Sequence, residues 1–423
     1  MAKIAVIGTG YVGLTTGACF AHIGHEVTCA DVDAEKVERL QRGEIPILEP
    51  GLENLVREGL QDGRLRFVVG NEGAARDCEF AYLCVPTPQG ADGSADLSFI
   101  EDAARVIGPL LPSEAVVVNK STVPVGSTRV VERTLGRADV AVVSNPEFLR
   151  EGSAIHDFLH PDRIVIGAED QSAAVRVQSL YLGITAPVIV TDPASAETIK
   201  YAANAFLATK ISFINAVAAV CEAVGADIKD VALGMGYDTR IGHEFLKPGP
   251  GWGGSCFPKD TRAMVRIAED AGYDFNLLKG VVAVNDEQLH RVAGKIAKLA
   301  GGSVAGKRIG VWGLTFKART DDLRESPSLA VIHHLVAQGA DVRAFDPSEP
   351  GPIEGIEVVD DPYAAVEGAE VLAVLTEWDE FRWLDIEKVA ELMAARNVVD
   401  ARNLLDRAAL ARRGFEYEGI GRG

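Results

Sequence analysis

Residues 3–13 read KIAVIGTGYVG, and this stretch decides the fold of the first part of the chain. An apolar, strand-like run at 3–7 leads directly into a glycine turn with the pattern G-x-G-x-x-G. Residues 14–23 then form a run of small and apolar residues with helical spacing, which ends at Gly24. A glycine turn between a buried strand and a helix lets the backbone approach a pyrophosphate, which rests on the helix N-terminus. The sequence therefore predicts a dinucleotide site of the Rossmann type.

The acid that ends the next strand predicts the choice of cofactor. Residues 26–30 form a second strand run. Asp31 follows the last glycine of the turn by about 20 positions, the spacing typical of dinucleotide-binding folds. A carboxylate there accepts hydrogen bonds from the adenosine ribose and repels a 2′-phosphate. The spacing therefore predicts NAD rather than NADP, and a plain tight turn is the alternative interpretation of the glycines alone.

The composition is that of an ordinary globular protein. The 423 residues, 47% hydrophobic and 24% charged, suffice for two or three domains with buried cores. A formal net charge of −19 argues against a nucleic-acid-binding or anionic-membrane surface, and a local basic pocket for an anionic small molecule remains open. We expect no targeting segment in the first residues and no apolar run long enough to span a membrane.

The cysteines show no CxxC pair and no spacing typical of metal ligands. Most of them lie in apolar runs, which predicts a reducing, cytoplasmic setting without structural disulfides. The six positions are Cys19, Cys29, Cys78, Cys84, Cys221 and Cys256.

The pattern predicts an α/β chain with two Rossmann-like doubly wound domains, joined by a long central helix and a helical dimerisation region. Strand runs continue at 80–85, 115–119 and 140–144. Neither Gly nor Pro occurs from 195 to 224, which predicts an apolar helix of about 30 residues, ~45 Å long, as a spine between domains or a subunit interface. A second alternation follows, with strands at 308–312 and 341–345 and a helix at 328–338. The predicted domain boundaries are 1–191, 192–300 and 301–423.

A glycine-rich loop at 248–260, PGPGWGGSCFPKD, presents a single cysteine, Cys256. Lys259 and Asp260 follow it three and four positions later. A nearby ammonium lowers the pKa of a thiol, and the thiolate is the nucleophilic form. The loop therefore indicates a nucleophilic cysteine, and a buried cysteine in a tight turn is the plain alternative.

Further polar clusters fall on or after predicted elements. Lys200 and Asn204 share a helix face, because they lie at positions i and i+4. One interpretation is that they hold an oxyanion or orient a water. The alternative is a lysine that only snorkels to solvent and an amide that only packs between helices. Segment 145–152, NPEFLREG, follows a strand and carries two carboxylates for acid–base work or sugar hydroxyls, with a solvated helix start as the alternative. Segment 120–128 offers hydroxyls and backbone donors. Segment 315–327 is either an anion site or a solvated charged loop.

Together these motifs resemble those of the UDP-glucose/GDP-mannose dehydrogenase family over essentially the whole chain. The departures are small: Trp252 stands where an aromatic or apolar residue is usual, and the residues after Arg402 are too weakly patterned to assign. The resemblance implies an NAD-binding first domain, a central dimerisation and catalytic region and a UDP-sugar-binding last domain. The motifs occur in the family's order at 8–13, 121–128, 145–152, 197–204, 253–260 and 316–327.

The resemblance also implies a chemistry that needs both NAD and a thiol. The family oxidises a primary alcohol to an acid in two hydride transfers, through an aldehyde, a thiohemiacetal and a thioester that is hydrolysed. The implied catalytic residues are Cys256 as the nucleophile, Lys200 and Asn204 for the oxyanions, Asp260 acting with Lys200 and a water, and Glu147 and Thr122 to position that water.

The remaining site residues are likewise implied by the resemblance. Cofactor contacts are expected from Gly8, Gly10, Tyr11, Val12, Gly13, Asp31, Lys36, Thr87, Thr122, Glu151, Lys259 and Arg324. Substrate contacts are expected from Glu147, Phe148, Leu149, Arg150, Glu151, Lys200, Asn204, Phe245, Leu246, Lys247, Pro248, Gly249, Gly253 and Lys317, and from Arg240 of a neighbouring subunit. The expected partners are a nucleotide sugar and a second copy of the chain, with no metal, nucleic acid or membrane.

Two rival classes share part of this pattern. A two-electron dehydrogenase of the 6-phosphogluconate or hydroxyacid type has the same start and long helix, but it needs no cysteine in a glycine loop. A non-catalytic NAD-binding sensor would not need Lys200, Asn204, Cys256 and Asp260. Within the family, the motifs leave the sugar open among UDP-glucose, UDP-N-acetylhexosamines and GDP-mannose.

Overall fold

The computed structural model describes residues 1–88, 90 and 95–422. The chain forms two compact units. The first contains residues 1–203 and 262–271, and the second contains residues 204–261 and those from 272 onward. Two helices contribute residues to both units, α9 at Pro193–Val224 and α11 at Phe257–Asp270.

The first unit is built on a mostly parallel sheet. Its described strands are β1 Lys3–Ile7, β2 Glu26–Asp31, β3 Leu65–Val69, β4 Phe80–Leu83, β5 Val116–Asn119, β6 Ala141–Ser144, β7 Ile164–Gly167 and β8 Val188–Thr191. They lie in the order β3-β2-β1-β4-β5-β6-β7-β8, and only β6 and β7 pair antiparallel. The first six strands have the order of a dinucleotide-binding fold, which places the site at the carboxyl ends of β1 and β4.

Helices cover both faces of this sheet. They are α1 Tyr11–His22, α2 Ala34–Gln41, α3 Leu52–Gln61, α4 Glu72–Ala75, α5 Ser98–Ile107, α6 Ser127–Leu135, α7 Ala154–Leu159, α8 Gln171–Ser179 and the start of α9. Successive strand residues point to opposite faces. Ile4 and Val6 therefore enter one hydrophobic core, and Ala5 and Ile7 enter the other. Burial on both faces explains why the inner strands β1, β4 and β5 are nearly continuous apolar runs.

The second unit repeats the plan. Its strands are β9 Arg308–Trp312, β10 Asp341–Phe345, β11 Glu357–Val358, β12 Val371–Val374, β13 Asn397–Asp400 and β14 Glu416–Gly419. Their order among the described residues is β11-β10-β9-β12-β13-β14, with every pair parallel. Besides the rest of α9, its helices are α10 Ile228–Gly236, α11, α12 Asn276–Leu299, α13 Pro327–Ala337, α14 Pro362–Val366, a 3₁₀ helix at Asp379–Trp383, α15 Ile386–Leu392 and α16 Arg407–Arg412.

The structure confirms the predicted fold class. The strands of the second sheet follow the order of the first six strands of the first sheet, so the second alternation in the sequence reflects a second Rossmann-like fold. The strands predicted at 3–7, 308–312 and 341–345 have the predicted bounds, and α9 begins two residues before the predicted helix. The division at 191 and 300 stays a prediction.

In two places the structure shows more than, or differs from, what the sequence predicts. The residues after Arg402, whose weak pattern leaves them unassigned, form α16 and β14. Helix α9 is long and apolar enough, by length and composition alone, to cross a membrane, which differs from the expectation of no such run. Its most apolar part has a mean hydropathy of 1.5, a value that core helices of soluble proteins also reach.

Candidate active site

The glycine turn has the geometry that a dinucleotide needs. Gly10 is the N-cap of α1, and a Cβ placed there meets nothing within 4 Å, so the space above the helix N-terminus is open. A Cβ at Gly13 would instead lie 2.0 Å from the Gly8 carbonyl oxygen, so only glycine allows helix and turn to pack this closely. The backbone N–H groups of the first helical turn are therefore available to an anion. The residues present fit NAD.

Asp31 lies at the end of β2, beside the turn. Its Oδ2 accepts hydrogen bonds from the Thr9 backbone at 3.0 Å, from Thr9 Oγ1 at 2.5 Å and from Lys36 Nζ at 3.0 Å. Burial acts to raise the pKa of Asp31, but these donors outweigh it and lower the pKa to about 2. The carboxylate is therefore ionised at any physiological pH, as its predicted role toward the ribose requires. Lys36, a predicted cofactor contact, is paired with it.

Glu49 is a buried carboxylate outside the sequence motifs, and it connects two segments that carry predicted cofactor residues. Glu49 accepts hydrogen bonds from the Tyr11 hydroxyl, from the Gly152 backbone at 2.7 Å and from the Ala154 backbone at 2.8 Å. Burial, together with Glu49 as acceptor, raises the pKa of Tyr11 well above its ordinary value, so the phenol stays a donor. Glu49 thereby fixes Tyr11, which follows the second glycine of the turn, to the loop that carries Glu151.

The ends of β4 and β5 bring two more predicted residues together. Thr87 Oγ1 donates a hydrogen bond to the Thr122 carbonyl at 2.9 Å, and Ser121 Oγ donates to the Val85 carbonyl at 2.7 Å. Thr87 and Thr122 thus lie on adjacent loops of the first unit. The predicted cofactor residues Lys259 and Arg324 belong to the second unit, where Lys259 pairs with Asp260 and Arg324 with Asp322.

Glu147 and Lys200 form a buried ion pair in the first unit. Lys200 Nζ lies 2.8 Å from Glu147 Oε1, and each side chain is only 4% exposed. Glu147 Oε2 accepts the Leu149 N–H at 2.5 Å. Burial acts to raise the pKa of Glu147, but Lys200 and this N–H outweigh it and lower the pKa. The pair therefore places an ammonium and a carboxylate, both charged, at the carboxyl end of β6.

Two residues that follow Glu147 in the 145–152 motif are held by charged side chains, Phe148 by Arg163 and Arg150 by Asp157. The Arg163 guanidinium lies 3.6 Å from the centre of the Phe148 ring, and Lys200 lies 5.4 Å from it. The Arg150 guanidinium makes two hydrogen bonds to Asp157, at 3.0 and 2.6 Å, and the Arg150 backbone N–H makes a third at 2.8 Å. Arg163 has no sequence signal, because its contact depends on the pairing of β6 with β7.

The second unit holds the other predicted catalytic groups. Asn204 Nδ2 donates to Asp260 Oδ2 at 2.6 Å, and Lys259 Nζ donates to Asp260 Oδ1 at 2.7 Å. Asp260 is fully buried and lies in the first turn of α11. Cys256 immediately precedes α11, so the positive end of the helix dipole favours its thiolate. The six cysteines are free, and Cys256 alone among them is not buried.

Apart from Asn204 on α9, the predicted substrate residues of the second unit lie in loops. Leu246 is 4% exposed, Phe245 has a positive φ of 62°, and the Lys317 ammonium lies 5.4 Å from the Phe316 ring centre. The Arg240 side chain is 87% exposed and pairs with Asp238 at 2.6 Å. Lys247, Pro248, Gly249 and Gly253 belong to the same chain segment as Cys256. Among the residues described, no group of three or more His, Cys, Asp or Glu could hold a metal ion.

The structure has the features of a nicotinamide-dependent dehydrogenase. These features are two Rossmann-like folds, a glycine turn shaped for NAD and a cysteine at a helix N-terminus. Comparison with known proteins narrows the class: the chain belongs to the UDP-glucose/GDP-mannose dehydrogenase family. The family's NAD binding domain matches residues 2–185, its central domain residues 194–287 and its UDP binding domain residues 310–407. The predicted family is thereby confirmed, and NAD is the cofactor.

Relatives match the full length of the chain. The UDP-glucose 6-dehydrogenase TuaD of Bacillus subtilis is 47% identical over 432 residues, which cover 100% of this chain and 94% of the relative. A UDP-glucose 6-dehydrogenase of Rhizobium meliloti is 46% identical and covers 99% of both. The structure of a UDP-glucose dehydrogenase from Pyrobaculum islandicum superimposes with a TM-score of 0.91 at 39% identity, over 100% of this chain and 98% of that one.

Proposed function

We propose that this NAD-dependent nucleotide-sugar dehydrogenase oxidises UDP-glucose to UDP-glucuronate, with Cys256 as the covalent nucleophile. The substrate is supported by the relatives named above, which are UDP-glucose dehydrogenases over their whole length. The nucleophile is supported by one observation above all: Cys256 directly precedes α11, and the other five cysteines are buried. Bound NAD supplies the hydride acceptor for both oxidations.

The chemistry of the thiol follows from the aldehyde. The Cys256 sulfur forms a bond to the aldehyde carbon, and the carbonyl oxygen takes the negative charge. Loss of hydride from that carbon then leaves a thioester on Cys256. Attack by water breaks the C–S bond, returns the thiolate and releases the carboxylate together with two protons. The overall reaction consumes one water and removes two hydrides for each sugar.

Lys200 and Asn204 are proposed to stabilise the oxyanions, and Glu147 to serve the hydrolysis. Glu147 holds the Lys200 ammonium at 2.8 Å in a buried site, where a cation stabilises a developing oxyanion strongly. Asp260 orients the Asn204 amide through the bond at 2.6 Å. Asp260 and Thr122 are proposed to act with Lys200 on a water during the proton transfers.

The experiment is an activity panel of UDP-glucose, UDP-N-acetylglucosamine, UDP-N-acetylmannosamine and GDP-mannose, each with NAD or NADP. We expect the highest kcat/KM for UDP-glucose with NAD, and two NADH released per sugar. A preference for an N-acetyl sugar or for GDP-mannose would replace the proposed substrate and leave the mechanism intact. One NADH per sugar would instead indicate a two-electron dehydrogenase.

We also propose a homodimer in the cytoplasm, with no nucleic-acid or membrane partner. On α9, Phe206 is 66%, Phe213 53% and Val220 59% exposed, at intervals of seven residues along one helix face. An apolar stripe of this kind suits a second copy of the chain. The net charge of −19 and six free cysteines support the remaining assignments. In such a dimer, Arg240 is expected to reach the partner's substrate.

A further inference from the structure

Four buried polar side chains hold the loop that leads to Cys256, three of them through its backbone and one through the Trp252 indole. Two of them come from α9 and two from α12, and each is at most 7% exposed. The four are Ser212, Asn215, Asn285 and Gln288. The loop itself, residues 249–254, contains four glycines and therefore has unusual backbone freedom before it is fixed. Contacts from outside the loop must supply its shape.

Asn285 makes the central contact. Its Oδ1 accepts the Trp252 N–H at 2.8 Å, and its Nδ2 donates to the Trp252 carbonyl at 3.1 Å. One amide thus satisfies both polar groups of one residue in the middle of the loop. Because both partners are backbone atoms, the bonds fix the path of the chain whatever side chain occupies position 252.

The start of the loop and the Trp252 side chain are also held by buried polar groups. The Gly249 N–H donates to Asn215 Oδ1 at 2.9 Å, and Gln288 Nε2 donates to the Gly249 carbonyl at 2.8 Å. The Trp252 indole donates to Ser212 Oγ at 2.9 Å. These bonds tie the start of the loop and its tryptophan to the two helices.

The other side of the loop lies against the segment after β9. The Gly254 N–H donates to the Arg324 carbonyl at 3.1 Å, and a Cβ at Gly253 would lie 2.0 Å from the Glu325 carbonyl oxygen. The loop is therefore enclosed on this side as well, and Trp252 lies only four positions before Cys256 in the chain.

We propose that Asn285 is a positioning residue, which acts through the Trp252 backbone to present the Cys256 thiol at the N-terminus of α11. The residue does not touch the reacting atoms. The part of this proposal that concerns turnover rests on the proposed function, but the placement of the thiol can be measured without any substrate.

The test compares Asn285→Ala with Asn397→Ala. Asn397 is a matched control, because its amide also makes two bonds to backbone, to the carbonyls of Leu299 and Glu370 at 3.0 Å, outside the cysteine loop. The first measurement is the rate of alkylation of Cys256 by iodoacetamide in the free protein across pH, with the site assigned by peptide mass spectrometry.

We expect the alkylation profile of the Asn285→Ala protein to shift upward in pH, toward that of an ordinary thiol near about 8.5. The helix dipole acts on the thiol only at short range, so a displaced thiol loses its benefit. The Asn397→Ala profile should match that of the unmodified chain.

The second measurement is turnover with UDP-glucose and NAD. Acid formation by Asn285→Ala should fall on the order of 10²-fold in kcat, as for a misplacement of about 1 Å, with the KM for NAD unchanged. Aldehyde trapped by hydroxylamine should rise, because the first oxidation does not use the thiol.

Equal alkylation profiles for the two variants would overturn the proposal, whatever the substrate proves to be. Absence of turnover in the unmodified chain, with a shifted profile in Asn285→Ala, would refute the proposed function alone. If Asn285→Ala does not fold, Asn285→Asp, which keeps the acceptor for the Trp252 N–H, replaces it, with a smaller shift expected.

Discussion

The Lys200 ammonium and the Glu147 carboxylate lie 2.8 Å apart in a site where both side chains are 4% exposed. Burying two charges is costly, and apolar residues of similar volume often stabilise a fold equally well. The pair is therefore better explained by chemistry than by stability. Removing one partner leaves the other charge buried and uncompensated, which makes the pair directly testable.

We predict that Lys200→Met lowers the free energy of unfolding at pH 7 by about 3–5 kcal/mol, because Glu147 then loses its counter-charge. The double variant with Glu147→Gln should recover most of that loss. Both are measured by urea denaturation. A single variant as stable as the unmodified chain would show that the pair is not charged in the folded state.

The same pair predicts a pH dependence. The pKa of Glu147 is lowered on folding, so the pair contributes stability above the unfolded pKa of about 4.3. That contribution is lost as the pH falls from there through the folded pKa. The stability difference between the unmodified chain and the double variant should therefore shrink below about pH 4.3 and stay constant above pH 6. A difference independent of pH across that window would contradict this assignment.

A third prediction concerns Asp31 and its neighbour Lys36. The carboxylate holds Lys36 Nζ at 3.0 Å and repels a 2′-phosphate. In Asp31→Ser the repulsion is gone and the ammonium is released, so the ratio of kcat/KM for NAD over NADP should fall at least about tenfold, which is ~1.4 kcal/mol. Adding Lys36→Met should reduce the use of NADP again. An unchanged ratio in Asp31→Ser would place the ribose elsewhere.

Glu49 gives a prediction that the motifs do not. In Glu49→Ala, the Ala154 N–H and the Tyr11 hydroxyl proton lose their acceptor, and the Gly152 N–H keeps only the Tyr11 oxygen, at 2.9 Å. We expect the Kd for NAD, measured by calorimetry, to rise about tenfold, together with a loss of stability of ~1–3 kcal/mol per unpaired buried group. Tyr11→Phe should reproduce only the part due to the hydroxyl. NAD binding unaltered in both variants would make this cluster purely structural.

What the sequence predicts and what it misses have physical reasons. Strands β1, β9 and β10 are flanked by glycine or turn signals and are mostly buried, so an apolar run defines them. Strand β8 has no buried residue and β11 has only two residues, so neither leaves a pattern. Within the site, the sequence predicts the residues that belong to a local motif. It cannot predict Glu49, whose partner Gly152 is 103 positions away, or Asn285, 33 positions from Trp252.

A fifth prediction concerns assembly. Light scattering at micromolar concentration should show a dimer, and the double variant Phe206→Glu/Phe213→Glu should shift it to a monomer with an unchanged far-UV spectrum, because both residues are exposed in the single chain. Leu182→Glu is the control, since Leu182 is 79% exposed on the first unit. A monomer without any substitution would refute the dimer.

The last prediction separates the two roles proposed for Cys256 and Glu147. Cys256→Ser and Cys256→Ala should keep the fold and NAD binding, because the loop is held by its backbone contacts. Both should lose acid formation by orders of magnitude, since a serine hydroxyl at its ordinary pKa is a far poorer nucleophile than a thiolate. The first oxidation does not use the thiol, so aldehyde should remain trappable in both. Glu147→Gln should instead keep thioester formation and slow its hydrolysis, so that an acyl group accumulates on the peptide that contains Cys256. Intact-protein and peptide mass spectrometry after mixing with UDP-glucose and NAD distinguish these outcomes. If Cys256→Ala made acid at a rate near that of the unmodified chain, the thiol would be structural and the covalent mechanism would have to be abandoned.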